Sequence, residues 1–491
     1  RIIVYNLGKV LIAFGLLMFF PIIIAVLKHE IVELHNFSIG FLITMIAGNV
    51  LLFIGHQRKG HHLTWGNGLM VVAFSWIFVT LCGAIPYYLS NHFMSFIDAC
   101  FDVMSGITTT GMILIRDLDH VSFSLNMWRH LLTYIGGQGI IIIVLTFFVK
   151  GTGSMTKIYA GEGKEEKIFP NVIRTARLIW GVSLMYLVVG WIIMFTVLLI
   201  EGFKFESALF QGLWLFMTSW STGGFAPFSQ NILYYHSVLI ESATLFLFFL
   251  GSMNFALHYA ILSGKWDEIK KNMEIHVFTA SVIIFTSILC FILARSGIYT
   301  TFFVLLRKGV YHLVSGHTGT GLGTLYTHQF IRWGPAPMLI MTIIMILGGS
   351  ACSTAGGLKS LRIGIVLKAI ALDIKRLLLP ESAVFVQQYH HIRDYILSHE
   401  QLRSAMIIIF SYISLFTVGV IITVLSGYDV VRALFENASI VGNVGLSCGI
   451  IDPGMPALMK WYFIFAMWAA RLEFIAVFGI IGYFFSFRMK R

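Results

Sequence analysis

Apolar residues fall along this chain in long blocks separated by short polar or basic segments. The blocks lie at approximately 9–28, 37–56, 66–90, 129–149, 175–200, 236–263, 276–296, 336–370, 402–426 and 458–486. Most reach the roughly 20 residues that an α-helix needs to cross a bilayer. A helix is the expected element for each, because it satisfies its own backbone polar groups in lipid. Four shorter, half-apolar stretches lie between them, near 96–108, 206–220, 303–318 and 430–442. They are too short to span.

Composition and charge sharpen this picture. The 491 residues are 57% hydrophobic and 12% charged, whereas about a quarter of a soluble protein is charged. The pattern predicts an all-α polytopic membrane protein. A net charge of +11 would suit nucleic acid. Most of the 34 Lys and Arg residues, however, fall in 1–9, 57–62, 150–177, 264–274, 359–403 and 488–491. That distribution is a topology signal, with both termini cytoplasmic. Within 359–403, KAIALDIKRLLLPE fits an amphipathic helix on the inner leaflet and a solvated linker equally well. Cys82, Cys100, Cys290, Cys352 and Cys448 lie in or beside apolar segments and read as free thiols. The 17 histidines form no HExxH pattern. The first apolar run lacks a small-residue cleavage site, so no cleavable signal peptide is expected.

The four short stretches repeat one another. They read FDVMSGITTTGM (Phe101–Met112), WLFMTSWSTGGF (Trp214–Phe225), YHLVSGHTGTGL (Tyr311–Leu322) and FENASIVGNVGL (Phe435–Leu446). Each opens on an aromatic residue, carries a hydroxyl at Ser105, Thr218, Ser315 or Ser439, and reaches a glycine at Gly111, Gly224, Gly321 or Gly445. Downstream of each lies a second cluster: Gly136-Gly137, Gly251-Ser252, Gly348-Gly349 and, in the fourth copy, Ala470-Arg471. The unit is helix, half-helix, glycine loop, helix, repeated four times. Residues 1–60, an N-terminal hairpin, stand outside the repeat. The units cover 61–150, 170–265, 275–370 and 401–491, with a cytoplasmic linker at 371–400.

Non-helical backbone at membrane depth is tolerated only where it is buried or lines a watery cavity. Four such loops around one axis would present rings of carbonyl oxygens that replace the water shell of a cation. Each half-helix would also aim its negative C-terminal end at the ion. The alternative is four loops that only pack.

With TTTG, STGGF and GNVGL loops, GGSACSTAGG at Gly348–Gly357 and RLE at Arg471–Glu473, the chain resembles the TrkH/TrkG/KtrB superfamily of potassium transport subunits. The extra N-terminal hairpin is similar to the TrkH branch. The resemblance implies a potassium-selective pore in a homodimer of the bacterial inner membrane, controlled by a cytoplasmic ring of nucleotide-binding regulatory chains. K⁺ is then the bound substrate ion and no organic cofactor is expected. The implied filter comprises Thr109, Thr110, Gly111; Thr222, Gly223, Gly224; Gly319, Thr320, Gly321; and Asn443, Val444, Gly445. In plant relatives of the superfamily, serine at the first filter glycine accompanies sodium transport; Gly111 here favours potassium. Departures at Gln138, His317, Gly323, Cys352 and Asn443-Val444 leave conductance and gating open.

Two further features suggest a gate. Arg471 falls near mid-membrane, where a charge is costly and usually functional. It reads as a positive constriction below the filter or as an ion-pair partner of Glu473 or Glu436. The loop containing Gly348, Gly349, Ser350, Ser353, Thr354, Gly356 and Gly357 reads as a plug, or as a close helix crossing. Rival functions are a sodium-permeable pore, a symporter coupled to Na⁺ or H⁺, and a membrane hydrolase using GLSCG at Gly445–Gly449. A nucleophile elbow needs a strand-to-helix turn and triad partners, whereas this match directly follows a pore-like loop and its first glycine already belongs to the repeat.

Overall fold

The computed structural model describes residues 1–56, 64–139, 172–378, 380 and 386–489. The expected continuation of the fourth apolar block, Ile140–Val149, and most of the basic segment 150–177 lie outside the described residues.

Among the described residues, six helices are long and apolar enough to cross a membrane: Ile2–Leu27, Ile31–Gly55, Gly66–Leu89, Ile173–Ile200, Met273–Ser296 and His399–Leu425. Two bent helix pairs pass the same test only when taken together, as broken spans or re-entrant segments. Val238–Ser252 and Phe255–Leu262 meet at 101°, and Ala457–Arg471 and Ile475–Tyr483 at 104°. The two remaining apolar blocks appear as Phe123–Gln138, followed by Gly139, and as Pro335–Ile346, which gives way to an irregular stretch before Ser360–Leu377. The four short stretches form pore helices Phe96–Ile107, Phe205–Trp220, Phe302–His317 and Val430–Val441. Local sequence fixes where most of them start. The side chains of Ser95, Thr301 and Asp429 accept hydrogen bonds from first-turn amides of three of the pore helices.

The blocks 236–263 and 458–486 are thus not the continuous helices that hydropathy predicts. Each breaks at its repeated cluster, as does the third unit at Gly348-Gly349, and the first described inner helix also ends there. Close approach explains two of these clusters. Gly136 and Gly251 lie against the last carbonyls of their own pore helices, Ile107 and Trp220, with no room for a Cβ.

Charged pairs join neighbouring parts of the ring. Arg307 on the third pore helix donates to both carboxylate oxygens of Glu241 on the second inner helix, at 2.6 and 2.8 Å. Lys460 of the last inner helix reaches Asp98 of the first pore helix at 2.5 Å. Glu30 of the N-terminal hairpin accepts from the amides of Phe123 and Ser124 at 2.7 and 3.0 Å, capping the first inner helix. Breaking a buried pair strands its partner's charge. Glu241→Ala is therefore expected to cost about 1–2 kcal/mol, less than for a fully buried pair because Arg307 is partly exposed, visible as a lower unfolding midpoint in detergent; an unchanged midpoint would show the pair to be dispensable.

The connection between the third and fourth units is a helix as far as Leu377, with Leu367, Ile370, Ile374 and Leu377 exposed along it. This part of KAIALDIKRLLLPE is thus helical, as the amphipathic reading expects. A hairpin of strands Gln388–His391 and Arg393–Ile396 follows. His390 bridges Glu268 (2.9 Å) and Asp394 (2.8 Å). Burial pulls its pKa down, but both hydrogen bonds and both carboxylate charges outweigh this and hold it above the ordinary 6.5. The bridge is fully present below pH 6.5 and is lost as pH rises through the raised value. Protection factors of the amides in 388–396, taken relative to intrinsic exchange at each pH, are expected to fall above that pH, and His390→Gln should abolish that fall.

Candidate ion pathway

All four pore helices end in the same turn. The residue after each helix cap is left-handed: Thr109 (φ 56°), Thr222 (50°), Gly319 (71°) and Asn443 (50°). The amide of the next residue returns to the carbonyl of the repeated hydroxyl residue. These bonds are Thr110 to Ser105 (2.8 Å), Gly223 to Thr218 (2.8 Å), Thr320 to Ser315 (2.9 Å) and Val444 to Ser439 (2.8 Å). This is a Schellman cap, which uses up the loop's N–H groups on the helix behind it. Left-handed backbone is costly for β-branched residues, so Thr109 and Thr222 hold strain that their surroundings must maintain. Among the described residues, no hydrogen bond is donated to the carbonyls of the twelve expected filter residues.

These loops close a ring. A Cβ placed on Gly111 would stand 3.0 Å from the carbonyl oxygen of Gly223, and one on Gly224 would stand 2.6 Å from that of Thr320. The same construction sets Gly321 against the Val444 carbonyl and Gly445 against that of Thr110. Each unit's glycine therefore faces the next unit's carbonyl, in chain order, and the fourth meets the first. All four glycines open onto one cavity, with Met112, Phe228, Asn231, Tyr326 and Ser447 in its walls.

A second cavity is lined by Gly139, Cys352, Gly356, Lys359, Tyr412 and Arg471. Arg471 is the last residue of its helix, and its guanidinium joins three units. It donates to the Thr109 hydroxyl (3.0 Å), the Thr354 carbonyl (2.8 Å) and the carbonyls of Gly136 (2.9 Å) and Gly137 (3.3 Å). Glu473 pairs with Arg362, and Glu436 accepts from the Ser447 hydroxyl and the Cys448 amide. Both carboxylates are thus engaged by other groups.

The irregular stretch of the third unit is tied down along its length. The amides of Ser350 and Thr354 donate to the carbonyls of Ser252 and Gly251 at 3.0 and 3.2 Å. The Thr354 hydroxyl meets that of Thr222 at 3.2 Å. Gly356 lies against Asn443 and the Gly442 carbonyl, also without room for a Cβ. Gly348 and Leu358 bond amide to carbonyl at 2.8 Å, closing the base. The stretch Gly348–Gly357, expected as a plug, is an ordered loop touching Thr222 and Asn443 of the second and fourth units.

Some departures acquire plain roles. His317 bonds to the Ser281 hydroxyl (2.6 Å) and packs on Phe278, behind the pore helix. Gln138 accepts from Ser183 (2.7 Å). The Asn443 amide donates to the Thr110 hydroxyl (3.0 Å), cross-linking loops four and one. GLSCG is the tail of the fourth loop, with Ser447 bonded to Glu436 (2.5 Å). Sequence reasoning missed Glu274, a buried carboxylate that accepts from the Ala351 amide (2.7 Å) and lies 3.6 Å from His391 of the β-hairpin. Nothing in its local sequence marks that role. Among the described residues, no group of three or more His, Cys, Asp or Glu could hold a metal.

A family model described as TrkH, cation transport protein, matches residues 33–308 and 306–480. An uncharacterized cation transporter of Methanocaldococcus jannaschii is 29% identical over all of this chain and 97% of its own length. The Trk system potassium uptake protein TrkG of Escherichia coli is 26% identical, over 99% of this chain and 98% of its own. The crystal structure of the potassium transporter TrkH from Vibrio parahaemolyticus superposes with a TM-score of 0.81 over 97% of both chains at 24% identity, which establishes the shared fold. With nearly its whole length inside that family's pattern and its four loops closed around one axis, the chain belongs to the TrkH family of cation transport proteins, and it is a transporter and not an enzyme.

Proposed function

We propose that this protein is the translocating subunit of a potassium uptake system, passing dehydrated K⁺ through the four-loop ring. The observation that carries the reading is the cyclic arrangement in which each glycine faces the next loop's carbonyl. Thr109–Gly111, Thr222–Gly224, Gly319–Gly321 and Asn443–Gly445 would supply the oxygens that replace water around the ion. The upper cavity admits the ion, and Arg471 with the 348–357 loop obstructs its exit. A guanidinium bound to Thr109, Thr354, Gly136 and Gly137 repels a cation at that level and must shift before one passes.

The potassium uptake named for relatives from Escherichia coli supports K⁺ as the transported ion. Family resemblance extends the proposal to a homodimer in a bacterial inner membrane, with both termini cytoplasmic and a separate nucleotide-binding ring on the inner face. Uptake of ⁸⁶Rb⁺ into liposomes, with K⁺ or Na⁺ as competitor, tests the reading. K⁺ should suppress uptake far more effectively than Na⁺. Equal suppression would sink the potassium assignment, and dependence on an imposed Na⁺ or H⁺ gradient would make the protein a symporter.

A further inference from the structure

Each pore unit carries one residue immediately after its opening aromatic: Asp102, Leu215, His312 and Glu436. In three units this side chain reaches over the loop to a backbone amide just beyond the filter glycine. Asp102 Oδ1 accepts from Leu114 (2.6 Å), His312 Nε2 from Thr324 (3.0 Å) and Glu436 Oε2 from Cys448 (2.9 Å). The imidazole can accept at Nε2 because Nδ1 bonds to the Lys308 carbonyl at 2.8 Å and carries the proton. In the second unit the corresponding residues are Leu215 and Pro227. Proline has no N–H to give, and leucine has no acceptor to offer. Acceptor and donor are present together or absent together, although the acceptors differ in chemistry.

We infer that Asp102, His312 and Glu436 are positioning residues for ion selection, each fixing the exit of its filter loop to its own pore helix. The Schellman cap anchors the loop below and this bond anchors it above, so the carbonyl ring is held at both ends in three of four units. All three side chains are fully buried, and none lines the upper cavity. They make no direct contact with the ion's path, and their position is felt there through the backbone they hold. A buried amide left without its acceptor would draw the loop toward another partner and change the ring.

The inference rests on the filter reading, and its test separates the two. Full-length protein in liposomes is assayed by ⁸⁶Rb⁺ uptake against Na⁺. Asp102→Leu and Glu436→Leu should each lower K⁺/Na⁺ discrimination by on the order of tenfold. Asp102→Asn and Glu436→Gln keep an acceptor and should stay within about threefold of the unaltered protein. Leu215→Met should change nothing. Folded Leu variants with unaltered discrimination would overturn the inference, as would Asn and Gln variants that lose as much as the Leu variants. Should the Leu variants fail to fold, amide exchange in the unaltered protein decides. Leu114, Thr324 and Cys448 are expected to be protected relative to Ile113 and Ser447, and equal rates would refute the bond's role. Absence of uptake by the unaltered protein would count instead against the filter itself.

Discussion

Arg471→Ala is expected to raise resting K⁺ flux by roughly tenfold to a hundredfold. A cation passing about 5 Å from a guanidinium, at an effective dielectric near 20, meets a barrier of about 3 kcal/mol. That is about two orders of magnitude in rate, partly offset once water fills the space. The four oxygens that Arg471 now occupies include the carbonyls of Gly136, Gly137 and Thr354. Freed of the guanidinium, they would face the path and favour a cation. Arg471→Lys keeps the charge and should leave most of the barrier in place. The competing expectation comes from the same bonds. Arg471 staples the first and third units to the fourth, so a purely structural residue would give the alanine variant lower flux or poor assembly. Uptake of ⁸⁶Rb⁺ together with size-exclusion behaviour distinguishes the two.

The second large effect is expected at Gly111. Its φ of 81° is strained for any L side chain. A Cβ there would stand 2.8 Å from the Gly224 Cα and 3.0 Å from the Gly223 carbonyl oxygen. Both are backbone atoms, so rotamer changes cannot relieve the clash and the ring must open. Wider carbonyls replace the hydration shell less completely, and a Na⁺ that keeps part of its water gains ground. Gly111→Ser should therefore lower K⁺/Na⁺ discrimination by on the order of tenfold, or about 1.4 kcal/mol. A folded serine variant with unchanged discrimination in the competition assay would remove Gly111 from the selectivity argument.

Much of this architecture was legible because it is repeated. The aromatic, hydroxyl and glycine positions recur at one spacing, and the four pore helices fall within about a residue of the stretches that composition marked. The hydroxyl position proves to be where the Schellman bond is accepted, although through its backbone carbonyl. Other features left no such trace. The break at Leu472–Phe474 places Glu473 and Phe474 in left-handed backbone, with φ of 47° and 62°. Hydropathy reports how apolar a segment is and not which way it runs, so a bend there is invisible. Arg471 could be placed in register with the glycine clusters of the other inner helices, but three of its partners are backbone carbonyls, which have no sequence signature. Asp102, His312 and Glu436 occupy one position of the repeat, but two are carboxylates and one an imidazole, and the second unit has a leucine there. Only the distances unite them.

The central claim is that the four loops select the ion. It is tested most directly by locating a heavy K⁺ surrogate, through anomalous scattering from Tl⁺ or Rb⁺ in crystals of the full chain. Density is expected on the axis, coordinated by carbonyls of residues 109–111, 222–224, 319–321 and 443–445. Density enclosed by side chains elsewhere, with none at the ring in protein that transports Rb⁺, would contradict it.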